Sequence, residues 1–224
     1  MNENVQNRFN TIAAGYIKTR RKFVPDFDNF YRSGICLLQC EKPDPRVLDL
    51  GAGTGLYTLK LLVRYPQAKV TLIDFAGNML DIARDIFEGN SNIGFIQDDY
   101  SSHDFAGDQY DIVISALSIH HFGDDDKKNV YQRVYSLLSD HGEFLNADQI
   151  SADSESFDQK YRDIHAKFVK ENASESEYDK FVKNIALDRR SPVLPQLNWL
   201  RTVGFTQVDC VFKLYCFAVM YGKK

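Results

Sequence analysis

Apolar positions along the chain change period several times, and those changes order the elements. Val5, Phe9, Ile12, Ala13 and Tyr16 fall on one face of a helix. Pro25 punctuates, and Phe27, Phe30, Tyr31, Gly34 and Leu38 form a second helical stripe, closed by Pro43 and Pro45. From residue 46 the rhythm shifts to short apolar runs alternating with helical stripes. Residues 46–50, 70–74, 93–97, 111–115 and 142–147 read as five strands. The run at 111–115 is apolar as a strand buried on both faces should be. Three helices intervene. Their stripes are Leu59, Leu62 and Val63; Met79, Ile82, Ala83, Ile86 and Phe87; and Val130, Val134, Leu137 and Leu138. Asp124 to Asp126 open the last of these, favourable against its dipole. Such alternation implies parallel pairing and right-handed crossovers.

Residues 151–188 break that rhythm. Phe157, Tyr161, Ile164 and Phe168 mark one helix. Ser174 and Glu177 form a capping-box pattern that opens another, with Tyr178, Phe181, Val182 and Ile185 as its face. Leu194, Leu197, Leu200 and Val203 stripe a last helix that ends at Gly204. The tail from Phe205 to Gly222 reads as two β-runs around Lys213, which so short a connection can join only as an antiparallel hairpin. The expected fold is α/β: a doubly wound, Rossmann-like, mostly parallel seven-stranded sheet with a C-terminal antiparallel hairpin, N-terminal helices and a helical insertion. One domain is expected over 1–224, divided into 1–42, a ligand-binding core at 43–150, the insertion at 151–190, and the last helix and hairpin at 191–224.

Composition adds exclusions. The chain has 224 residues, 44% hydrophobic and 26% charged, as an ordinary globular domain does. The formal net charge of -4 argues against a nucleic-acid partner, which would call for a basic field. No run of about 18 uncharged apolar residues appears, so no membrane span is expected. The polar start has no signal-peptide core, which points to a cytoplasmic protein, monomeric or homodimeric. Cys36, Cys40, Cys210 and Cys216 have no zinc-site spacing and read as reduced thiols, with no metal expected.

The informative stretch is residues 48–55, Leu-Asp-Leu-Gly-Ala-Gly-Thr-Gly, a glycine-rich turn between a strand and a helix. A nucleotide P-loop would end in Gly-Lys-Ser/Thr, and this turn does not. A dinucleotide fingerprint spaces its glycines G-x-G-x-x-G, whereas Gly51, Gly53 and Gly55 are spaced G-x-G-x-G around Ala52. Asp49 stands just before them. A carboxylate about 4 Å from a phosphate is repelled by roughly 4 kcal/mol at an effective dielectric near 20, and it attracts an ammonium group as strongly. Asp74 ends the second strand, where a carboxylate can accept from a ribose diol. Asp98, Asp99 and Tyr100 end the third, where a carboxylate can accept from the exocyclic amine of an adenine. An amine, a ribose and an adenine in that order describe S-adenosylmethionine.

These motifs resemble those of the class I S-adenosylmethionine-dependent methyltransferases, in particular the small-molecule branch. VLDLGAGTG is similar to the family's first motif, the acidic residue of VTLIDFAGNML to its second, IQDDYSSHDF to its adenine-contacting motif and YDIVISALSIHHF to its fourth-strand motif. The resemblance implies that Gly51, Gly53 and Gly55 admit the methionine part, with Asp49 and Ser115 near its amino end. It implies Asp74 on the ribose and Phe75 and Met79 around the adenine. The N-terminal FNTIAAGYIKTRRKFVP resembles a lid helix, which would bring Tyr16 and Arg20 or Arg21 over the cofactor. S-adenosylmethionine is then the cofactor and S-adenosylhomocysteine the product.

Methyl transfer from a sulfonium mainly requires orientation. His120 and His121 follow the fourth strand, where an acceptor would approach, and one of them could take its proton. No Asn/Asp-Pro-Pro-aromatic motif follows that strand, which favours a small-molecule acceptor over DNA. The layout is also similar to the carboxy-S-adenosylmethionine synthases, for which Arg189 and Arg190 would bind the carboxylate of the substrate. A cofactor-binding regulatory protein without chemistry is the third reading.

Overall fold

The computed structural model describes residues 17–224. The helical face expected over residues 5–16, Tyr16 included, lies outside them. Residues 17–20 are helical, and a short helix α1 (Phe27–Arg32) follows. Strands β1 (Arg46–Leu50), β2 (Lys69–Asp74), β3 (Ile93–Gln97), β4 (Tyr110–Ala116) and β5 (Leu138–Gln149) then alternate with helices α2 (Leu56–Leu61), α3 (Gly77–Ile86) and α4 (Asp124–Leu137). The insertion supplies α5 (Glu155–Asn172) and α6 (Glu175–Ile185). The chain closes with α7 (Val193–Val203), β6 (Gln207–Leu214) and β7 (Phe217–Lys223).

The sheet order is β3-β2-β1-β4-β5-β7-β6, parallel through β5 and antiparallel where β7 meets β5 and β6. Strand alternation divides the core into two layers. Val47, Ile112, Ile114 and Leu145 face α1, α2 and α3, whereas Leu48, Val113 and Phe144 face α4 and α7. The chain reverses its winding between β1 and β4. Their carboxyl ends therefore open a crevice with no crossover above it, the place where such sheets bind ligands.

Several element boundaries differ from the sequence expectation. The second helix spans only six residues, so Val63 leaves its stripe and is exposed. Leu138 begins β5 rather than ending the helix before it. The hairpin turns at Tyr215, which takes a φ of 50°, two residues beyond Lys213. On α5 the buried positions are Asp158, His165 and Val169, while Phe157 and Ile164 face outward. Polar anchors set that rotation. Asp158 pairs with Arg162 at 2.5 Å and with Arg190 at 3.2 Å. His165 donates from Nε2 to the Phe23 carbonyl at 2.8 Å. A buried ion pair or hydrogen bond left unmade would cost more than exposing one aromatic edge.

The capping box expected at Ser174 and Glu177 is present. Lys22 binds the same Glu177 at 2.8 Å, so the segment before α1 is clipped to the insertion. Lys22 and the Ser174 amide hold the Glu177 carboxyl down at about 2, and the clip persists through the neutral range. On the other side the buried Lys127 of α4 reaches Ser191 Oγ at 2.5 Å and the Arg189 carbonyl, fastening the return from the insertion.

Candidate functional site

An inner cleft of about 220 Å³ lies over the ends of β1, β2 and β4. The glycine turn forms its floor. Gly51 has a φ of 62°, and a Cβ on it would stand 1.9 Å from Ser118 Oγ. Gly53 has a φ of 54°, and a Cβ on it would meet only Met79 Cε, at 3.6 Å. The Gly53 amide donates to Asp74 Oδ2 and the Ala76 amide to Oδ1, each at 2.8 Å. Asp74 is thereby fixed in place, and each oxygen keeps a lone pair for a further donor.

Asp49 is 1% exposed. Its Oδ2 accepts from Thr58 Oγ1 at 2.6 Å, while Oδ1 has no partner. Burial pushes the carboxyl up to about 7, against the opposing effect of the Thr58 hydrogen bond. Thr54 Oγ1 and Tyr57 Oη are likewise buried and unpartnered, and all three residues line the cleft. Orphaned buried polar atoms are rare in folded proteins, and here three converge on one cavity. A carboxylate oxygen asking for a donor beside two hydroxyls able to donate suits a ligand end that bears both an amine and a carboxylate.

Of the residues expected from the sequence, Asp49, Gly51, Ala52, Gly53, Asp74, Phe75, Met79 and Arg20 line this cleft. Others do not reach it. Ser115 is fully buried and donates to the Leu50 carbonyl at 2.8 Å, bracing β4 against β1. Tyr100 lies beneath Gly51, its hydroxyl 2.9 Å from Ser118 Oγ. Gly55 makes room for Phe87, whose ring would meet a Cβ at 2.4 Å. Asp98 is taken by His103 at 2.7 Å, and Asp99 caps the Ser101 amide at 2.8 Å. Arg21 turns outward to Asp28 at 2.7 Å, which leaves Arg20 as the basic residue of that pair facing the cleft. Thr54 and Tyr57 escaped the sequence reading. Thr54 sits inside the turn motif itself and could have been noticed there, whereas nothing in the spacing marks Tyr57.

A second, outer cavity of about 420 Å³ adjoins the first, between residues 19–24, the end of β4 and the insertion. Arg20, Leu117 and His121 line both. Phe23, Phe181 and Phe217 make its apolar wall. Two lining residues carry buried atoms without partners, Gln149 Oε1 and His165 Nδ1. Burial keeps His165 below the ordinary histidine range. Its Nε2 proton is committed to Phe23, so Nδ1 presents a lone pair.

His120 and His121 differ sharply. His120 Nδ1 lies 2.5 Å from Asp148 Oδ1, and its backbone amide donates to Asp148 Oδ2 at 2.8 Å. Burial alone would depress it, yet Asp148 and Asp188 overcome that and hold it up at about 9. In this arrangement it is a proton donor rather than a base. His121 is displaced downward by burial and by His120, whose ring is 4.0 Å away, so it is the neutral imidazole of the pair. Arg189 and Arg190 line neither cavity. Arg190 is committed to Asp158, and Arg189 is exposed and contributes its backbone amide to the His120 carbonyl at 2.9 Å.

Residues 17–24 roof both cavities through Arg20 and are clipped to the insertion at Glu177. Hydrogen exchange over 17–24 is expected to slow when S-adenosylhomocysteine is added, because a filled cleft removes the space into which the segment opens. Equal protection with and without the nucleoside would show that this segment does not gate the site.

Residues 47–142, which carry the turn, Asp74 and both histidines, match the family described as Methyltransferase domain. Over those residues the chain is similar to the class I S-adenosylmethionine-dependent methyltransferases. Proteins similar to this chain include malonyl-[acyl-carrier protein] O-methyltransferase of Acetivibrio thermocellus. That protein is 40% identical over 94 residues, 42% of this chain and 32% of the relative. Phosphoethanolamine N-methyltransferase of Plasmodium falciparum is 24% identical over 154 residues, 69% of this chain and 53% of the relative. Carboxy-S-adenosyl-L-methionine synthase of Campylobacter hominis is 24% identical over 198 residues, 86% and 82% respectively. The chain spans about a third to a half of the length of the first methyltransferases it matches. Among solved structures, an O-methyltransferase family protein from Burkholderia thailandensis superimposes with a TM-score of 0.66 at 18% identity, covering 89% of this chain and 55% of that one. At that identity the likeness concerns the fold. No helix among the described residues is long and apolar enough to cross a membrane.

Proposed function

We propose that this methyltransferase moves the methyl group of S-adenosylmethionine onto a small molecule held in the outer cavity. The cofactor is S-adenosylmethionine, and it leaves as S-adenosylhomocysteine. The observation that carries the assignment of the inner cleft is the unpartnered, buried Oδ1 of Asp49 at the head of β1. An ammonium group supplies the donor it lacks, and a pyrophosphate would be repelled there. The Asp74 lone pairs then meet the ribose, and Phe75 and Met79 flank the adenine.

With the nucleoside over β2 and the amino-acid end over β1, the sulfonium methyl points toward Leu117 and His121, the residues common to both cavities. The protein's work is alignment: incoming atom, methyl and sulfur must lie in line, with the incoming atom about 3 Å from the methyl carbon, and bulk water must be kept out. The cavity volume of about 420 Å³ suits a metabolite-sized acceptor. Gln149 Oε1 and His165 Nδ1 both accept, so the acceptor carries N–H or O–H groups that satisfy them. A proton released during transfer passes to the histidine pair at the junction. The reading as a carboxy-S-adenosylmethionine synthase drew on the lid, the insertion and a basic site at Arg189 and Arg190, of which Arg190 is held by Asp158 at 3.2 Å. A regulatory protein without chemistry would not turn the cofactor over.

Two measurements test this. Calorimetric titration is expected to show binding of S-adenosylmethionine and S-adenosylhomocysteine and none of NAD. A metabolite pool incubated with methyl-labelled cofactor is expected to yield one small product heavier by a methyl group. Label found only in tRNA or protein would overturn the acceptor class, and binding of NAD alone would overturn the cofactor.

A further inference from the structure

At the junction of the two cavities three ligating side chains converge: His120, His121 and Asp188. Their candidate donor atoms, one from each, lie within 4.8 Å of one another. Asp188 Oδ1 stands 3.4 Å from His120 Nε2 and 3.4 Å from His121 Nδ1. Those two separations are too long for good hydrogen bonds, whose N–H···O distances run about 2.7–3.2 Å. They match the spacing of two ligands on one ion, since donors about 2.1 Å from a tetrahedral centre lie roughly 3.4 Å apart. Asp188 is only 5% exposed, and its carboxylate faces the two imidazoles.

The surroundings of the cluster have the form that metal sites take. A ligating imidazole presents one nitrogen to the ion and gives the other to a carboxylate, which fixes the ring and its tautomer. His120 does this with Asp148, which takes both Nδ1 and the backbone amide of the same residue and leaves Nε2 facing Asp188. The backbone supports the geometry too. Leu117 takes a φ of 54° just before the three-residue turn Ile119–His121, and this presents two consecutive imidazoles to one carboxylate from the end of the insertion.

We propose that His120 Nε2, His121 Nδ1 and Asp188 bind a single first-row divalent cation, which takes the place of the proton on His120 Nε2 and keeps its remaining positions open to the outer cavity. Two imidazoles and one carboxylate suit zinc, cobalt, iron or manganese and would hold magnesium or calcium poorly. His121 is the exposed member, with 57% of its side chain accessible, so the ion enters and meets its fourth ligand from the cavity side. An acceptor oxygen or nitrogen bound there would lose its proton more readily, because a cation stabilises the anion that remains. That consequence rests on the methyl-transfer reading. The site itself stands on its own geometry.

Cobalt(II) is the probe. The metal-free full-length chain titrated with cobalt is expected to develop one saturable set of visible d–d bands with the intensity of a four- or five-coordinate ion. Equimolar zinc should abolish them. His121→Ala and Asp188→Asn should each weaken cobalt binding by at least about tenfold, and Asp148→Asn by roughly 10–100-fold through the outer hydrogen bond. A native circular dichroism spectrum of each variant reports that its fold is intact. Wild-type protein that binds the nucleoside and shows no stoichiometric cobalt spectrum overturns the metal site and leaves the cofactor reading standing. Cobalt bands that persist in both His121→Ala and Asp188→Asn place the ion elsewhere and also overturn the proposal. A cobalt spectrum without nucleoside binding overturns the cofactor reading alone.

Discussion

Asp49→Asn is expected to stabilise the ligand-free protein at pH 8 and to weaken its hold on S-adenosylmethionine, two effects of opposite sign from one atom. The carboxyl sits at about 7 in the empty fold because burial penalises its charge. The unfolded chain releases the same proton near pH 4. A folded value above the unfolded one means that the native state binds the proton more tightly. The stability this group contributes is complete below about pH 4 and is lost as pH rises through about 7. Three units correspond to roughly 4 kcal/mol at most. An amide cannot ionise, so the variant avoids that loss and should unfold at a higher temperature than wild type at pH 8 and at a similar one near pH 4. Cofactor binding runs the other way. The ammonium favours the ionised carboxylate, so wild-type affinity should fall about tenfold for each pH unit below 7 and level off above it. The variant should bind roughly 10–150 times more weakly at pH 8, as removal of a hydrogen bond to a charged group does. The gap should close by about pH 5. Thermal unfolding and calorimetry at two pH values decide the matter. An affinity that is flat with pH in wild type, or a variant less stable than wild type at pH 8, would remove Asp49 from the amine.

How far the sequence carried is clearest at individual residues. The parallel order of β1 to β5 was legible because alternating apolar runs and helical stripes leave few ways to bury both sheet faces. The terminal hairpin was legible because its connection is too short for anything else. The place of Asp49, Asp74, Gly51 and Gly53 around one cleft was legible because backbone geometry and charge at a strand end follow from local spacing. Local spacing could not say which polar atoms are spent on the fold. Ser115, Asp98 and Asp99 each look like ligand contacts in the sequence; Ser115 is committed to the Leu50 carbonyl 65 residues away, while Asp98 and Asp99 each turn one oxygen to His103 and the Ser101 amide of their own loop. The rotation of α5 was hidden for the same reason. Its buried face is set by Arg190 and Phe23, which lie 32 and 142 residues away from their partners on that helix. The difference between His120 and His121 was likewise out of reach. It depends on Asp148 at the end of β5 and Asp188 at the end of the insertion, neither of which the histidine pair announces.

Gly51→Ala carries the other large effect, and it separates two causes that usually travel together. A non-glycine residue at a φ of 62° costs roughly 1–2 kcal/mol, about five- to thirtyfold if it fell entirely on binding. The steric term is larger. The new Cβ would stand 1.9 Å from Ser118 Oγ and 2.5 Å from Ser118 Cβ, with the Tyr100 ring edge at 3.2 Å behind. The hydroxyl can rotate away, at the expense of its 2.9 Å contact with Tyr100. The Ser118 Cβ cannot, so the turn or the segment after β4 must shift by about an ångström. A displacement of that size in a positioning element costs on the order of 10²-fold. The single variant should therefore bind S-adenosylmethionine at least about 100 times more weakly while keeping a native circular dichroism spectrum. Pairing it with Ser118→Gly removes both clashing atoms, leaving the backbone strain and an unpartnered Tyr100 hydroxyl worth about 1 kcal/mol. The double variant should bind several times more tightly than the single one, and Ser118→Gly alone should lose no more than about tenfold. A single variant only tenfold weaker would mean that the strained φ is the whole effect and that Ser118 yields freely. A double variant no better than the single would mean that the turn fails for a reason outside this contact, and that Gly51 is needed by the ligand itself.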